Sequence, residues 1–421
     1  MAERHKQGNA FRLQPPVDFA NNPFVEFTSN DYLSLSHSSE FKEIFLDKIQ
    51  KASTLFGAGG ARQLLNSVAH TDLESRLAKF FNSPDALLTS GGYNANLAFF
   101  GTIPQRGDVT LHDEHIHASI VDGMRAGRAR IASFAHNDVA ALRDALAEIV
   151  EKDKGIRAGI NSVFVTVESV YSMDATVAPL PTIVKVLEQA LPAGNGYLVV
   201  DEAHATGIYG PQGRGFVSMW GLENKCLARL HTFGKALTSM GAVILTTPLV
   251  KQFLNNYGRP IIYTASIPHS IVISVNCAFD VLEGPLGARL QAHLLDISTY
   301  CIERFRAEMS AHSIPKIILS LPPQYYLPLS TDLTTMPTTT PPHPIIPLMT
   351  EFPHQLNDHL SMNRIHVGAV TWPAVPKGKS RIRLSLNAKL SREDIDKLVQ
   401  VSLQWALDFQ KESMKIQKGK L

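Results

Sequence analysis

Cysteine is scarce in this 421-residue chain: three residues, Cys226, Cys277 and Cys301, with no C-x-x-C pair among them. That excludes a disulfide framework and suits a reducing compartment. Long hydrophobic runs are missing too. Stretches such as Tyr197–Val200 and Ala242–Leu245 are short beside the ~20 residues a membrane helix needs, so no transmembrane helix is expected. Charge of one sign is nearly cancelled, with 40 Lys+Arg against 38 Asp+Glu and a net charge of +2. A dedicated polyanion binder carries a clustered basic excess, so nucleic-acid binding is excluded as the main role. Met1–Gly8 has no apolar stretch of the kind a secretory signal requires. What is present is 44% hydrophobic residues, enough for a core in two domains or one large domain with an elaboration.

The pattern along the chain alternates between helical and strand-like segments. Phe41, Ile44, Phe45 and Ile49 recur at helical spacing. Thr71-Asp-Leu-Glu74 reads as a capping box ahead of Leu77, Phe80 and Phe81. Short apolar runs end abruptly in polar residues: Ala86–Leu88 before Thr89, Ser162–Val167 before Glu168, Tyr197–Val200 before Asp201. Such runs between helices predict a mainly parallel sheet covered on both faces, with its ligand at the carboxyl ends of the strands. The Pro- and Thr-dense stretch Leu321–Pro347 reads as an exposed loop, and Arg392–Ile416 as a closing amphipathic helix. The expected division is an arm over 1–50, a large domain over 51–290 and a smaller α+β domain over 291–421.

Several constellations carry chemistry. Asp201-Glu-Ala-His204 spells a helicase box, but a helicase also needs a GxxxxGK[ST] phosphate loop. The nearest candidate, Gly378-Lys-Ser380, has Pro373 where the first glycine belongs. Thirty-four residues after Asp201 comes Lys235, in His231-Thr-Phe-Gly-Lys-Ala. A lone lysine is usually a solvated charge, and an Asp after a strand is often only a helix cap. Together, a strand-end Asp-x-x-His and a lysine after a glycine are what pyridoxal phosphate chemistry needs. The amine condenses with the cofactor's aldehyde, the carboxylate keeps the pyridine nitrogen protonated, and the histidine steadies the phenolic oxygen. Ser90–Asn96 follows a strand and opens a helical run, where free amides can seat a phosphate. His112, His115 and His117 alternate in a way that suits metal ligation, yet no fourth ligand stands at a usable spacing and an imidazole can equally stack on an aromatic ring. No metal is expected. Gly57–Arg62 is only loosely like a dinucleotide fingerprint and follows a helix, so NAD is rejected.

Taken in order, these segments resemble the α-oxoamine synthases, fold-type-I enzymes of the class-II pyridoxal phosphate-dependent aminotransferase group. The matching runs are Ser29–Ser36, Gly57–Arg62, His70–Glu74, Gly92–Asn96, Asp113–Ser119, Glu168–Asp174, Asp201–Gly207, Thr232–Lys235, Tyr263–Ser266 and Val375–Arg383, spread from about Phe27 to Leu398. The resemblance implies an α/β fold with a pyridoxal phosphate-binding large domain and a homodimer. It implies condensation of an amino acid with an acyl-CoA and loss of CO2, with L-alanine and pimeloyl-CoA of biotin biosynthesis as the expected pair. An enzyme of secondary metabolism using another acyl thioester, and a silent partner subunit, are the alternatives. Lys235 would bind the cofactor covalently, with Asp201 at its pyridine nitrogen and His204 and Ser172 at its phenolic oxygen. His117 would stack on the ring, while Gly92, Tyr93 and Thr232 would hold phosphate. Asn30 and Arg383 would receive the amino acid, and Thr264, a cofactor-binding residue, would reach across the dimer interface with the Gly57–Arg62 loop. The chain departs from the family at Gly91, Thr238, Ala265 and Ala374, which bears on the acyl chain rather than on the carbanion chemistry. Gly419-Lys-Leu421 is similar to a peroxisomal address, so the expected location is cytoplasmic or peroxisomal.

Overall fold

The computed structural model describes residues 24–57, 59–330 and 339–418. The terminal Gly419–Leu421 tripeptide lies outside the described residues. Two units emerge. The larger is Leu33–Tyr171 with Thr176–Gln291; the smaller takes the described parts of Met1–Tyr32 and Ala292–Leu421, together with Ser172–Ala175.

A short strand β1 (Val25–Glu26) opens the smaller unit. The larger unit is built on seven strands: β2 (Asp85–Thr89), β3 (Val109–Asp113), β4 (Arg130–Phe134), β5 (Val163–Glu168), β6 (Gly196–Asp201), β7 (Cys226–Thr232) and β8 (Ala242–Thr246). Their order is β2-β8-β7-β6-β5-β3-β4. Neighbours from β7 to β4 run parallel, and β8 runs antiparallel to both β7 and β2. The continuous apolar runs have the expected cause: every residue of β5 is buried, as is every residue of β8. In register, Glu168 ends β5 beside Asp201 at the end of β6. The fold class read from the sequence, α/β with a mainly parallel sheet, therefore holds.

Local signals placed the helices well but missed one boundary. The helix Ser39–Lys51 begins where Ser38 Oγ accepts the Phe41 amide. The helix Val68–Phe80 starts a turn before the supposed capping box, because Ser67 is the N-cap and accepts from the His70 amide. Thr71 is already helical. Glu74 points inward, where it accepts the Leu88 amide and pairs with Arg62 and Lys251.

The smaller unit holds β9 (Ile345–Met349), β10 (Ile365–His366), β11 (Gly368–Val370) and β12 (Arg381–Ser385). β1 pairs with β10 in parallel, and β11-β12-β9 form an antiparallel sheet. The expected loop Leu321–Pro347 is thus corrected at its end, since Ile345, Ile346 and Pro347 are buried strand residues. A proline is compatible with that assignment because β9 is an edge strand. On its outer side the Ile345 amide donates to His343 Nδ1, and Met349 exchanges two backbone hydrogen bonds with Ser320. The helix Arg392–Lys418 closes the described chain.

Candidate active site

The carboxyl ends of β5, β6 and β7 open on a cleft of about 590 Å³ in the larger unit. It is lined by Gly92, Tyr93, Asn96, His117, Ser119, Glu168, Asp201, His204, Thr232 and Lys235, among others. β6 delivers Asp201 as its last residue, and the tight turn after it returns His204 to the same side. That turn is closed by Ala205 and Thr206 amides donating to the Glu202 carbonyl. Glu202 itself faces away, buried, accepting from Ser169 Oγ and the Val217 and Phe216 amides. Lys235 sits in the loop between β7 and β8, pinned where the Thr238 amide donates to its carbonyl. Thr238, a departure from the family's glycine, has a φ of 44°, left-handed backbone that a β-branched residue disfavours.

Lys235 Nζ stands 2.8 Å from His204 Nε2. Asp201 is fixed by both oxygens: Oδ1 accepts the Ala203 amide at 2.9 Å and Oδ2 accepts Asn96 Nδ2 at 2.8 Å. Asn96 also donates to Ser119 Oγ, 3.0 Å away. Ser119 Oγ, having accepted that bond, donates to His117 Nδ1 at 2.7 Å. The imidazole proton of His117 is thereby left on Nε2. Desolvation lowers the pKa of His117, with the charge of Lys235 acting the same way and Asp201 opposing both. The ring is accordingly neutral near pH 7. Glu168 accepts the His117 amide; its burial, and then Asp201 beside it, push its carboxyl well above the usual range.

The donor set fits pyridoxal phosphate. Gly91, the N-cap of the helix Gly92–Phe100, offers no side chain to the first amides, so these remain available to an anion at the helix N-terminus. A Cβ placed on Gly92 would come within 3.4 Å of Thr232 Cβ, so glycine keeps the gap between that helix and Thr232 open. The buried Asp201 carboxylate would give a protonated pyridine nitrogen its counter-charge, and Lys235 would supply the amine.

Of the sequence-predicted residues, Lys235, Asp201, His204, His117, Gly92, Tyr93 and Thr232 line this one cleft. Thr264 does not: it lines a smaller concavity with Arg62, His70, Ser90 and Ser266. Asn30, Ser172 and Arg383 are together in the smaller unit, where Arg383 donates through Nε to the Ser172 carbonyl and through Nη2 to Asn30 Oδ1. The histidine run divides its labour: His112 bonds the Asp113 carbonyl, while His115 stacks on His136 with ring centroids 4.1 Å apart. Asn96 and Ser119 were not singled out from sequence, and Glu168 was read as a strand end without a site role. Glu168 carried a usable signal, since it ends an apolar strand just as Asp201 does.

Residues 22–401 match the model of the family described as aminotransferase class I and II. Among curated proteins, the chain is 37% identical over 396 residues to the 8-amino-7-oxononanoate synthase of Emericella nidulans, covering 93% of this chain and 92% of that one. It is 32% identical to the aminoacyl transferase sphA of Aspergillus fumigatus, covering 94% of this chain and 83% of its relative. Among solved structures, the serine palmitoyltransferase of Sphingomonas wittichii superposes with a TM-score of 0.75 at 25% identity, over 90% of this chain and 86% of that one. The 8-amino-7-oxononanoate synthase of Francisella tularensis shares the fold at 24% identity and a TM-score of 0.69, over 92% of this chain and 99% of the other.

Proposed function

The chain belongs to the aminotransferase class I and II family and, within it, to the pyridoxal phosphate-dependent α-oxoamine synthases, and on that premise we propose that it joins L-alanine to pimeloyl-CoA. CO2 and CoA leave, and the product is an α-amino ketone of biotin biosynthesis. The likeness to the Emericella nidulans enzyme over nearly the whole of both chains carries the substrate choice.

When bound, the cofactor supplies the electron sink that stabilises negative charge at the amino acid's Cα. Lys235 is the group that takes the Cα proton and later returns one, its amine steered by His204 at 2.8 Å. Asp201 holds a proton on the pyridine nitrogen; anchored at both oxygens, it needs no reorganisation as charge develops. His117, neutral, presents a flat ring without adding positive charge beside Lys235. Thr232 and the amides of Gly92 and Tyr93 hold phosphate, while His204 and Ser172 serve the phenolic oxygen. Asn30 and Arg383 receive the amino acid, Arg383 gripping its carboxylate as a fork.

A homodimer accompanies this reading. The loop bearing Phe56 and Leu64 adjoins the segment bearing Tyr263 through Gln63 Nε2 on the Asn255 carbonyl and the Ser266 amide on the Gly60 carbonyl. These three residues are 80%, 81% and 73% exposed, and large apolar residues left to solvent on adjoining segments support a second copy packing there. Thr264 and Arg62 line the neighbouring concavity.

The test is CoA release by purified, cofactor-loaded protein given L-alanine and pimeloyl-CoA, with Lys235→Ala as control. Lysine-dependent release is the expected result. Release only with another amino acid or thioester would keep the chemistry and move the enzyme to secondary metabolism. Ala265 and Ala374, where the resemblance implies hydroxyls, support that second reading.

A further inference from the structure

Two arginines of β12 lie two residues apart and so share a face of the sheet. Both reach the four-residue segment Ser172–Ala175, which groups with the smaller unit although the flanking chain does not. Arg381, only 2% exposed, donates from Nη1 to Asp174 Oδ1 at 2.7 Å and to the Met173 carbonyl at 2.6 Å. Its Nε donates to the Lys379 carbonyl at 2.9 Å. Arg383 Nε then donates to the Ser172 carbonyl at 2.8 Å. The next residue, Ala175, has a φ of 54°, left-handed backbone that an alanine does not favour on its own. Bearing on the segment are Arg381, which is buried and pairs with the partly exposed Asp174, and Gln324 Nε2, which donates to the Asp174 carbonyl at 2.8 Å; of these the Arg381–Asp174 contact is the charged one.

We propose that Arg381 and Asp174 are positioning residues for the amino acid: their ion pair sets the Ser172 carbonyl, and that carbonyl sets the plane of the Arg383 fork. A bidentate grip on a carboxylate depends on that plane, because two parallel N–H bonds must be aligned at once. The pair therefore tunes amino-acid affinity without entering the proton transfers assigned to Lys235. This rests on the reading of Arg383 as the carboxylate receptor.

The experiment compares Asp174→Asn, Arg381→Lys and Arg383→Lys with the wild-type holoenzyme. Three quantities are read: the KM of each substrate, kcat, and the amino-acid Kd from absorbance titration without acyl donor. Asp174→Asn keeps the side chain's size, and Arg381→Lys keeps the buried charge. Both are expected to raise the amino-acid KM and Kd by about tenfold, leaving kcat and the acyl-donor KM within about twofold. The unfolding midpoint and cofactor absorbance serve as folding controls. A merely structural role would lower the midpoint and the active fraction but leave the amino-acid Kd unchanged, and that result would overturn the proposal. If Arg383→Lys itself leaves the amino-acid Kd alone, the receptor reading fails. If Arg383→Lys raises it while the other two variants do not, the receptor stands and the positioning pair falls.

Discussion

His231 makes stability depend on pH through one buried ring. Thr206 Oγ1 donates to the Glu202 carbonyl and so accepts from His231 Nδ1, leaving Nε2 a bare acceptor with no hydrogen-bond partner among the described residues. Burial, reinforced by the charge of Arg229, drops its pKa well below 6.5. The unfolded chain then binds a proton that the folded chain refuses. The contribution of the neutral ring is complete above the unfolded pKa of about 6.5 and is lost as pH falls from there toward the folded value. Urea unfolding across acid pH should show stability falling for the wild type and a flatter profile for His231→Gln; equal slopes would contradict this. Asp201 offers a kinetic counterpart. Asp201→Ala should slow hydrogen exchange at the amino acid's Cα by roughly a hundredfold or more while weakening cofactor binding far less. Equal losses in both would make Asp201 a binding group only. Asp201, His204 and Lys235 were legible because short-range order announces them: a strand end, a three-residue turn, a glycine before a lysine. Asn96 was not, because its partner Asp201 lies 105 residues away and only the sheet brings the two together.

Elements were legible where period and cap agree, and misread where two caps compete. Ser67 and Thr71 both precede apolar helical residues, and local pattern favoured Thr71. The structure favours Ser67, since its hydroxyl also meets His70 Nδ1 at 2.6 Å and His269 Nε2 at 3.1 Å. Tertiary contact thus overrides the local signal. Thermal unfolding should show Ser67→Ala costing about 1–2 kcal/mol, with Thr71→Ala within about 0.5. The reverse ranking would restore the capping box. Strand β9 escaped notice for a related reason: its Pro347 argues against a strand unless the strand is known to lie on an edge, and edge position is a property of the assembled sheet.

At the scale of the molecule, the exposure of Phe56, Leu64 and Tyr263 predicts self-association. Sedimentation at micromolar concentration should give twice the chain mass, and Leu64→Glu should shift it toward the monomer. A wild-type monomer would remove the dimer reading. No single helix among the described residues is long and apolar enough to cross a membrane. Not every surface invites a neighbour, however. Along the outer rim of β9 the successive amide positions are Ile345, answered by His343; Pro347, which has no N–H; and Met349, taken by Ser320. A foreign strand laid against that rim finds no donor to pair with, so the antiparallel sheet does not lengthen at its β9 edge by recruiting other chains. The same proline that disguised the strand in the sequence therefore guards it against amyloid-like growth.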